Sequence, residues 1–63
     1  MRQTFSKVLT ARNEFHQGMA SFKYLNGFWC CYEAAPCLQW LIHMDSKTAK
    51  IELVKRGYSW NWL

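Results

Sequence analysis

The sequence predicts a small α+β protein that is mostly helical, with two helices and one strand per chain in an intertwined homodimer. Apolar residues recur at steps of three and four over the first third of the chain, which is typical of an amphipathic helix. An aromatic and cysteine-rich run then ends at Pro36, which favours a strand followed by a second helix. The chain has 63 residues, of which 51% are hydrophobic, so we expect one domain, 1–63, and a partner chain that covers its surplus apolar surface.

The first predicted helix covers about residues 5–25. Its apolar stripe consists of Phe5, Val8, Leu9, Phe15, Met19 and Phe22. Arg12 lies inside that stripe, so its charge needs a partner or a route to water. It can reach water from the edge of the buried face, or it can form an ion pair across the dimer with Glu33 or Asp45. Gly18, in the interior of this helix, indicates either close packing or a weak point.

The strand is predicted at about residues 28–33, because its aromatic and compact side chains suit a pleated surface. Asn26-Gly27 can end the first helix, or it can be the turn of a hairpin in which residues 21–25 form a strand. Without that hairpin the strand has no partner in its own chain, and its backbone groups need one. The sequence then favours antiparallel pairing with the same strand of a second subunit across a two-fold axis.

The second helix is predicted at about residues 36–56, with Pro36 as its first residue. Asp45-Ser46 offers a helix cap, so the segment can be one helix or two. Gly57 can end it. The aromatic tail, 58–63, alternates aromatic and polar residues, which is typical of a short strand or an extended arm.

Charge and cysteine content limit the class of protein. The formal net charge of +4 comes from eight basic and four acidic residues that are spread along the chain, so a nucleic-acid role does not follow from charge alone. Three cysteines are an odd number and do not form the pattern of small secreted proteins. No signal peptide and no run of about 20 apolar residues is present. We therefore expect a cytoplasmic protein with no membrane segment.

No motif indicates catalysis or a cofactor. The chain contains no phosphate-binding glycine loop, nucleophile elbow or paired metal-binding histidines. Cys31, Cys37 and His43 recur at intervals of six, which matches no usual zinc site, whose paired ligands are two to four residues apart. We expect no enzyme activity, no metal and no cofactor.

The surplus of aromatic residues favours a protein-binding module, since tryptophan and tyrosine anchor interfaces. The candidate residues for the dimer or partner interface, which would line an aromatic groove of the dimer, are Phe28, Trp29, Cys31, Tyr32, Trp40, Trp60 and Trp62. The alternative function is a DNA-binding transcriptional regulator of the helix-turn-helix type. Residues 39–57 can be fitted to that motif, with Met44-Asp45-Ser46 as its turn.

The stretch FWCCYEAAPCLQWLIHM and the whole length of the chain resemble the small early lytic-development proteins of lambda-type temperate bacteriophages, encoded between the exonuclease and excisionase genes. The resemblance implies a dimer with two helices and one strand per chain. It also implies an early viral protein that favours lysis by an interaction with an unidentified bacterial host or phage protein. No site residue is transferred from that family.

Overall fold

Strands, not a helix, form the first half of the chain. The structure is a computed structural model that describes residues 5–63. Its elements are β1 (Ser6–Arg12), β2 (Gln17–Leu25), β3 (Phe28–Ala34), a 3-10 helix (Pro36–Leu41), α1 (Ser46–Lys55) and β4 (Ser59–Trp62). The strands form one antiparallel sheet in the order β3-β2-β1-β4. The fold is α+β, but the prediction that it is mostly helical, with one strand, is wrong.

The predicted helix at 5–25 is a β-hairpin. The side chains of Leu9 and Ala11 in β1 are buried, as are those of Ala20 and Phe22 in β2, and each pair is two residues apart. Asn13 closes the turn between the strands. Its Oδ1 accepts hydrogen bonds from the backbone amides of Phe15 and His16, at 2.8 and 2.7 Å. The helical spacing misleads because half of the predicted stripe is exposed to solvent: Phe5, Phe15 and Met19.

The predicted strand at 28–33 is present as β3, but its partner is β2 of the same chain. Asn26 and Gly27 form the turn, with φ angles of 49° and 87° that suit a two-residue hairpin. The hairpin, which was one of two alternatives for Asn26-Gly27 in the sequence, is therefore present. The outer edge of β3 is also occupied, since the amide of Cys31 donates to the Met44 carbonyl at 2.9 Å. Pairing of this strand across a dimer axis, which the sequence predicted, is wrong.

The predicted helix at 36–56 is two elements. The 3-10 helix starts at Pro36, and the break after it contains His43 with a φ of 81°. Asp45 then caps α1, because its Oδ1 accepts a hydrogen bond from the Thr48 amide at 3.0 Å. Gly57, with a φ of 82°, follows the end of α1, and the tail forms strand β4 against β1.

The core lies between one face of the sheet and the two helical elements. We call this the covered face, and its buried residues are Leu9, Ala11, Ala20, Phe22, Cys31, Leu38, Leu41, Ala49 and Leu53. Gly18 lets the segment that follows β3 pass close to β2, because a Cβ there would lie 2.6 Å from the Cβ of Ala35. The opposite face, the open face, has no second layer in residues 5–63. It carries side chains such as Val8, Met19 and Lys23 by strand alternation.

Candidate functional site

The four tryptophans lie on the helical side of the molecule, each half-buried and each with a cation over its ring. Trp29 comes from β3, Trp60 and Trp62 come from β4, and Trp40 comes from the 3-10 helix. Ammonium and guanidinium groups within about 6 Å of a ring centroid are attracted by the ring quadrupole. The arrangement of these cations defines the candidate site.

Lys7 lies between two tryptophans from opposite edges of the sheet. Its Nζ is 4.5 Å from the ring centroid of Trp29 and 4.4 Å from that of Trp62. Lys7 shares the parity of Leu9 in β1, so its side chain is on the covered face. Trp62 is fixed beside it by an edge-to-face contact with the ring of Phe22 at 5.5 Å. The lysine is therefore held by aromatic rings in the protein.

Lys50 of α1 shares the Trp62 ring with Lys7 and also contacts Trp60. Its Nζ lies 5.0 Å from the centroid of Trp60 and 5.4 Å from that of Trp62. These two rings contact each other at 6.2 Å with an interplanar angle of 75°. We call Lys7, Lys50, Trp29, Trp60 and Trp62 the lysine–tryptophan cluster.

The two ammonium groups of the cluster have no carboxylate partner in residues 5–63. The ion pairs in this part of the chain both use Glu52, which contacts Lys55 at 3.6 Å and Arg56 at 3.9 Å. Within residues 5–63, the ammonium groups of Lys7 and Lys50 are contacted by aromatic rings and by no carboxylate. Such a site favours an anionic group from outside the chain.

The cluster adjoins an open edge of the sheet. The amide of Leu63 donates a hydrogen bond to the Val8 carbonyl at 2.8 Å. Hydrogen-bonded and non-hydrogen-bonded pairs alternate along an antiparallel ladder, so Trp62 with Leu9 and Trp60 with Ala11 are non-hydrogen-bonded pairs. The alternation directs the backbone N–H and C=O groups of Trp60 and Trp62 away from β1. Nothing in residues 5–63 pairs with them. β4 thus presents both backbone hydrogen-bonding groups and tryptophan side chains.

The predicted interface residues fall into separate places. Trp29, Trp60 and Trp62 are brought together in the cluster. Trp40 lies apart from it, where its Nε1 donates to the Cys37 carbonyl at 3.0 Å and Arg56 stacks 4.0 Å from its ring centroid.

The other three candidates divide between the open face and the core. Phe28 and Tyr32 are exposed, and the Nζ of Lys23 lies 5.2 Å from the Tyr32 ring. Cys31 is in the core, where burial raises the pKa of its thiol despite a hydrogen bond to the Glu33 carbonyl. Cys31 therefore supports packing, and it is inaccessible to a partner.

The predicted ion-pair residues do not pair within the chain. Arg12 ends β1 and is exposed, and Glu33 is exposed on β3, two strands away in the sheet. Asp45 is already engaged as the cap of α1, and the hydrogen bonds from Thr48 lower the pKa of its carboxyl. A pair between subunits stays a prediction.

The residues that the sequence suggested for zinc and for DNA form neither a metal site nor a helix-turn-helix within residues 5–63. Residues 5–63 contain no group of three potential ligands that could hold a metal ion, so Cys31, Cys37 and His43 do not converge. Residues 39–57 have one α-helix, α1, because the segment before it is a short 3-10 helix with a kink at Leu38. The first helix of a helix-turn-helix is therefore missing from this segment.

Sequence reasoning missed Lys7 and Lys50 as members of the site. A signal for Lys7 exists only once β1 is recognised as a strand, because Lys7 then lies on the same face as Leu9 and Ala11. No local signal marks Lys50, because its contacts depend on where α1 crosses β4.

Comparison with models of known protein families, with curated proteins and with solved structures finds no match to this chain. In the described part of the chain, no helix is both long enough and apolar enough to cross a membrane.

Proposed function

We propose that this protein is a non-enzymatic binding module to which an extended segment of another protein adds as a fifth strand, beside β4. The observation that carries the proposal is the open edge of β4, where the backbone groups of Trp60 and Trp62 point outward. Strand addition of this kind takes affinity from main-chain hydrogen bonds and specificity from the side chains along the edge.

The two edges of the sheet differ in protection. The outer edge of β3 is bonded to the segment before α1, as the amide of His43 donates to the Cys31 carbonyl at 2.9 Å. The β4 edge has no such cover in residues 5–63, and its sequence, Ser-Trp-Asn-Trp, lacks the lysine, proline or bulge that usually blocks an edge. Two half-buried tryptophans beside this edge are suitable interface anchors.

A second copy of the chain is the less favourable occupant of this edge. A two-fold axis would pair β4 with β4 and bring two lysine–tryptophan clusters together, and each chain has a formal net charge of +4. Like charges at an interface oppose association. We therefore assign the edge to a different protein, and the homodimer expected from composition becomes an outcome of the test.

The cellular setting of the proposal is the bacterial cytoplasm during early phage infection. Cys30, Cys31 and Cys37 are free thiols, which supports a reducing compartment. The pro-lytic role has only the resemblance to phage early proteins behind it. The fold implied by that resemblance, two helices and one strand, differs from the structure, so the proposal depends on the edge and not on the resemblance.

Amide exchange tests the proposal. The tagged protein is used to capture a partner from nuclease-treated bacterial lysate, and exchange is then measured by NMR in the free and bound states. We expect the amides of Trp60 and Trp62 to become protected, while those of Asn61 and Leu63, which point toward β1, are protected in both states and serve as internal controls.

A chemically synthesised chain gives a sharper variant. N-methylation of the Trp60 amide replaces an outward donor with a methyl group that blocks the edge and should abolish capture, whereas N-methylation of Glu14, in the turn outside every strand, should not. Capture that survives N-methylation of Trp60, or a complex in which both tryptophan amides still exchange freely, contradicts strand addition. Protection in the free chain together with a dimer in sedimentation would assign the edge to a second copy.

A further inference from the structure

We infer that the segment that adds to β4 is acidic and that Lys7 and Lys50 are its carboxylate receptors. The inference rests on the proposed function, because strand addition is what brings the partner's side chains to the cluster. It goes beyond that function by naming the chemistry of the partner.

The geometry of a sheet determines which partner residues reach the lysines. Side chains alternate between faces along a strand, and opposite residues of adjacent strands have Cβ atoms about 4.5–5.5 Å apart. A strand paired with β4 would therefore place every second side chain on the covered face, beside the rings of Trp60 and Trp62. The Nζ of Lys50 lies 5.0 Å from the centroid of the Trp60 ring, and the Nζ of Lys7 lies 4.4 Å from that of the Trp62 ring. Acidic residues opposite Trp60 and Trp62 would be separated by one residue. Their carboxylates would approach Lys50 directly and Lys7 past the Trp62 ring.

Both lysines are organised for an anion before the partner arrives. Each ammonium group is over two rings, which limits the side-chain freedom that a surface lysine loses on forming an ion pair. Neither has a carboxylate within ion-pair distance in residues 5–63 that a ligand would have to displace. The half-buried surroundings also weaken screening by solvent relative to a fully exposed pair.

Nucleic acid fits the cluster less well than an acidic peptide. Single-stranded nucleic acid binds by stacking its bases on free aromatic faces along a positively charged groove. Here Lys7 and Lys50 already lie over the rings of the cluster, and the two remaining unpaired lysines, Lys23 and Lys47, lie on other parts of the surface. The observations therefore favour a protein segment.

Synthetic peptides test the inference on the intact chain. The probe has a threonine-valine background with two glutamates separated by one residue. One control has the same composition with adjacent glutamates, and a second has glutamine in place of both. Affinity is measured by tryptophan fluorescence and confirmed by NMR, at low salt and at about 1 M salt, where screening reaches about 3 Å.

We expect the alternating acidic peptide to bind most tightly and to lose its advantage in high salt. Lys7→Gln and Lys50→Gln should each weaken its binding by about twofold to fivefold, the range of partly exposed ion pairs. Lys47→Gln, which removes the same charge from an exposed position of α1, should leave binding unchanged. Circular dichroism checks each variant, and Lys50→Gln, on the helix surface, keeps the test valid if Lys7→Gln unfolds the chain.

The outcomes separate the two proposals. Equal binding of the acidic and glutamine peptides, with protection of the Trp60 and Trp62 amides, overturns the acidic partner and supports strand addition. Lysine-dependent binding of the acidic peptide without that protection supports the carboxylate receptors and overturns strand addition. Tighter, lysine-dependent binding of an oligothymidylate overturns the assignment to protein, and failure of every peptide to bind at millimolar concentration overturns both.

Discussion

Replacing Gly18 by alanine distinguishes the sheet described here from the helix that the first third of the sequence suggests. In a helix interior, Gly→Ala would stabilise the protein by about 1 kcal/mol. In the structure, Gly18 is in β2 and its added Cβ would lie 2.6 Å from the Cβ of Ala35 and 3.3 Å from the Sγ of Cys37. Carbon atoms in favourable contact are about 3.5–4.0 Å apart.

The expected change in the free energy of unfolding on Gly18→Ala is the difference between two opposing effects. Overpacking of this kind costs about 1–3 kcal/mol, while the loss of glycine's freedom in the unfolded chain returns about 0.4–1 kcal/mol. The difference of these terms is about 0–2.6 kcal/mol, so we expect Gly18→Ala to lower the free energy of unfolding, by about 1.3 kcal/mol at the middle of that range. Urea titration followed by circular dichroism measures it, with the slope of the transition checked for constancy.

A second substitution identifies the cause. Ala35→Gly removes the atom that the new Cβ would meet, so Gly18→Ala should cost much less in that background, with a coupling energy of about 1 kcal/mol or more. The backbone of Ala35, with φ of −57° and ψ of 157°, is accessible to every residue type, so the control introduces no strain. A Gly18→Ala variant at least as stable as the unmodified protein would refute the packing argument and favour the helix.

Three further predictions concern the helical half of the chain. His43→Gly should raise the free energy of unfolding by about 0.5–1 kcal/mol, because a non-glycine residue at a φ of 81° is strained; a loss of stability in urea would contradict this. The Thr48 hydrogen bonds lower the pKa of Asp45 from its ordinary value of 3.8, so their stabilisation is complete above that value and is lost as pH falls through the folded-state pKa. Asp45→Asn should keep the cap and make the fall of the melting temperature at acidic pH less steep. An unchanged fall would exclude the Asp45 carboxyl as a cause of the acid destabilisation. Leu53→Ala, in the core, should cost about 2–5 kcal/mol, whereas Ile51→Ala on the exposed side of α1 should change stability by less than about 0.5 kcal/mol; similar losses would mean that α1 buries a different face.

The parts of the fold that depend on local chemistry could be predicted from the sequence. Asp45 as a cap identifies the start of α1, Gly57 as a stop identifies its end, the alternation of the tail indicates strand β4, and Asn26-Gly27 identifies a turn. The first helix was wrong because apolar residues spaced by three and four can also occur in a hairpin. The decision depends on which of them are covered: Leu9 is fully buried, whereas Phe15 is 81% exposed.

The candidate site was less predictable than the fold. The tryptophans were predicted to be interface residues from their type, whereas the contacts of Lys7 and Lys50 depend on residues far away in the sequence. Trp29 and Trp62 come from the two edge strands of the sheet and both contact the Nζ of Lys7, which no local pattern specifies. Sequence periodicity reports burial along one element, and this site is made by four elements, β1, β3, α1 and β4, that come together in the folded protein.

The position of β4 next to β1 also has a consequence for folding kinetics. The hairpins β1-β2 and β2-β3 are local and can form within microseconds, but Thr10 and Asn61, which pair across β1 and β4, are 51 residues apart. Until β4 arrives, the backbone of β1 is itself an unpaired edge, and a nascent chain in that state can pair with a neighbour and aggregate. We expect docking of β4 to be the late event of folding, which the fluorescence of Trp60 and Trp62 would report in a chain with Trp29 and Trp40 replaced by phenylalanine.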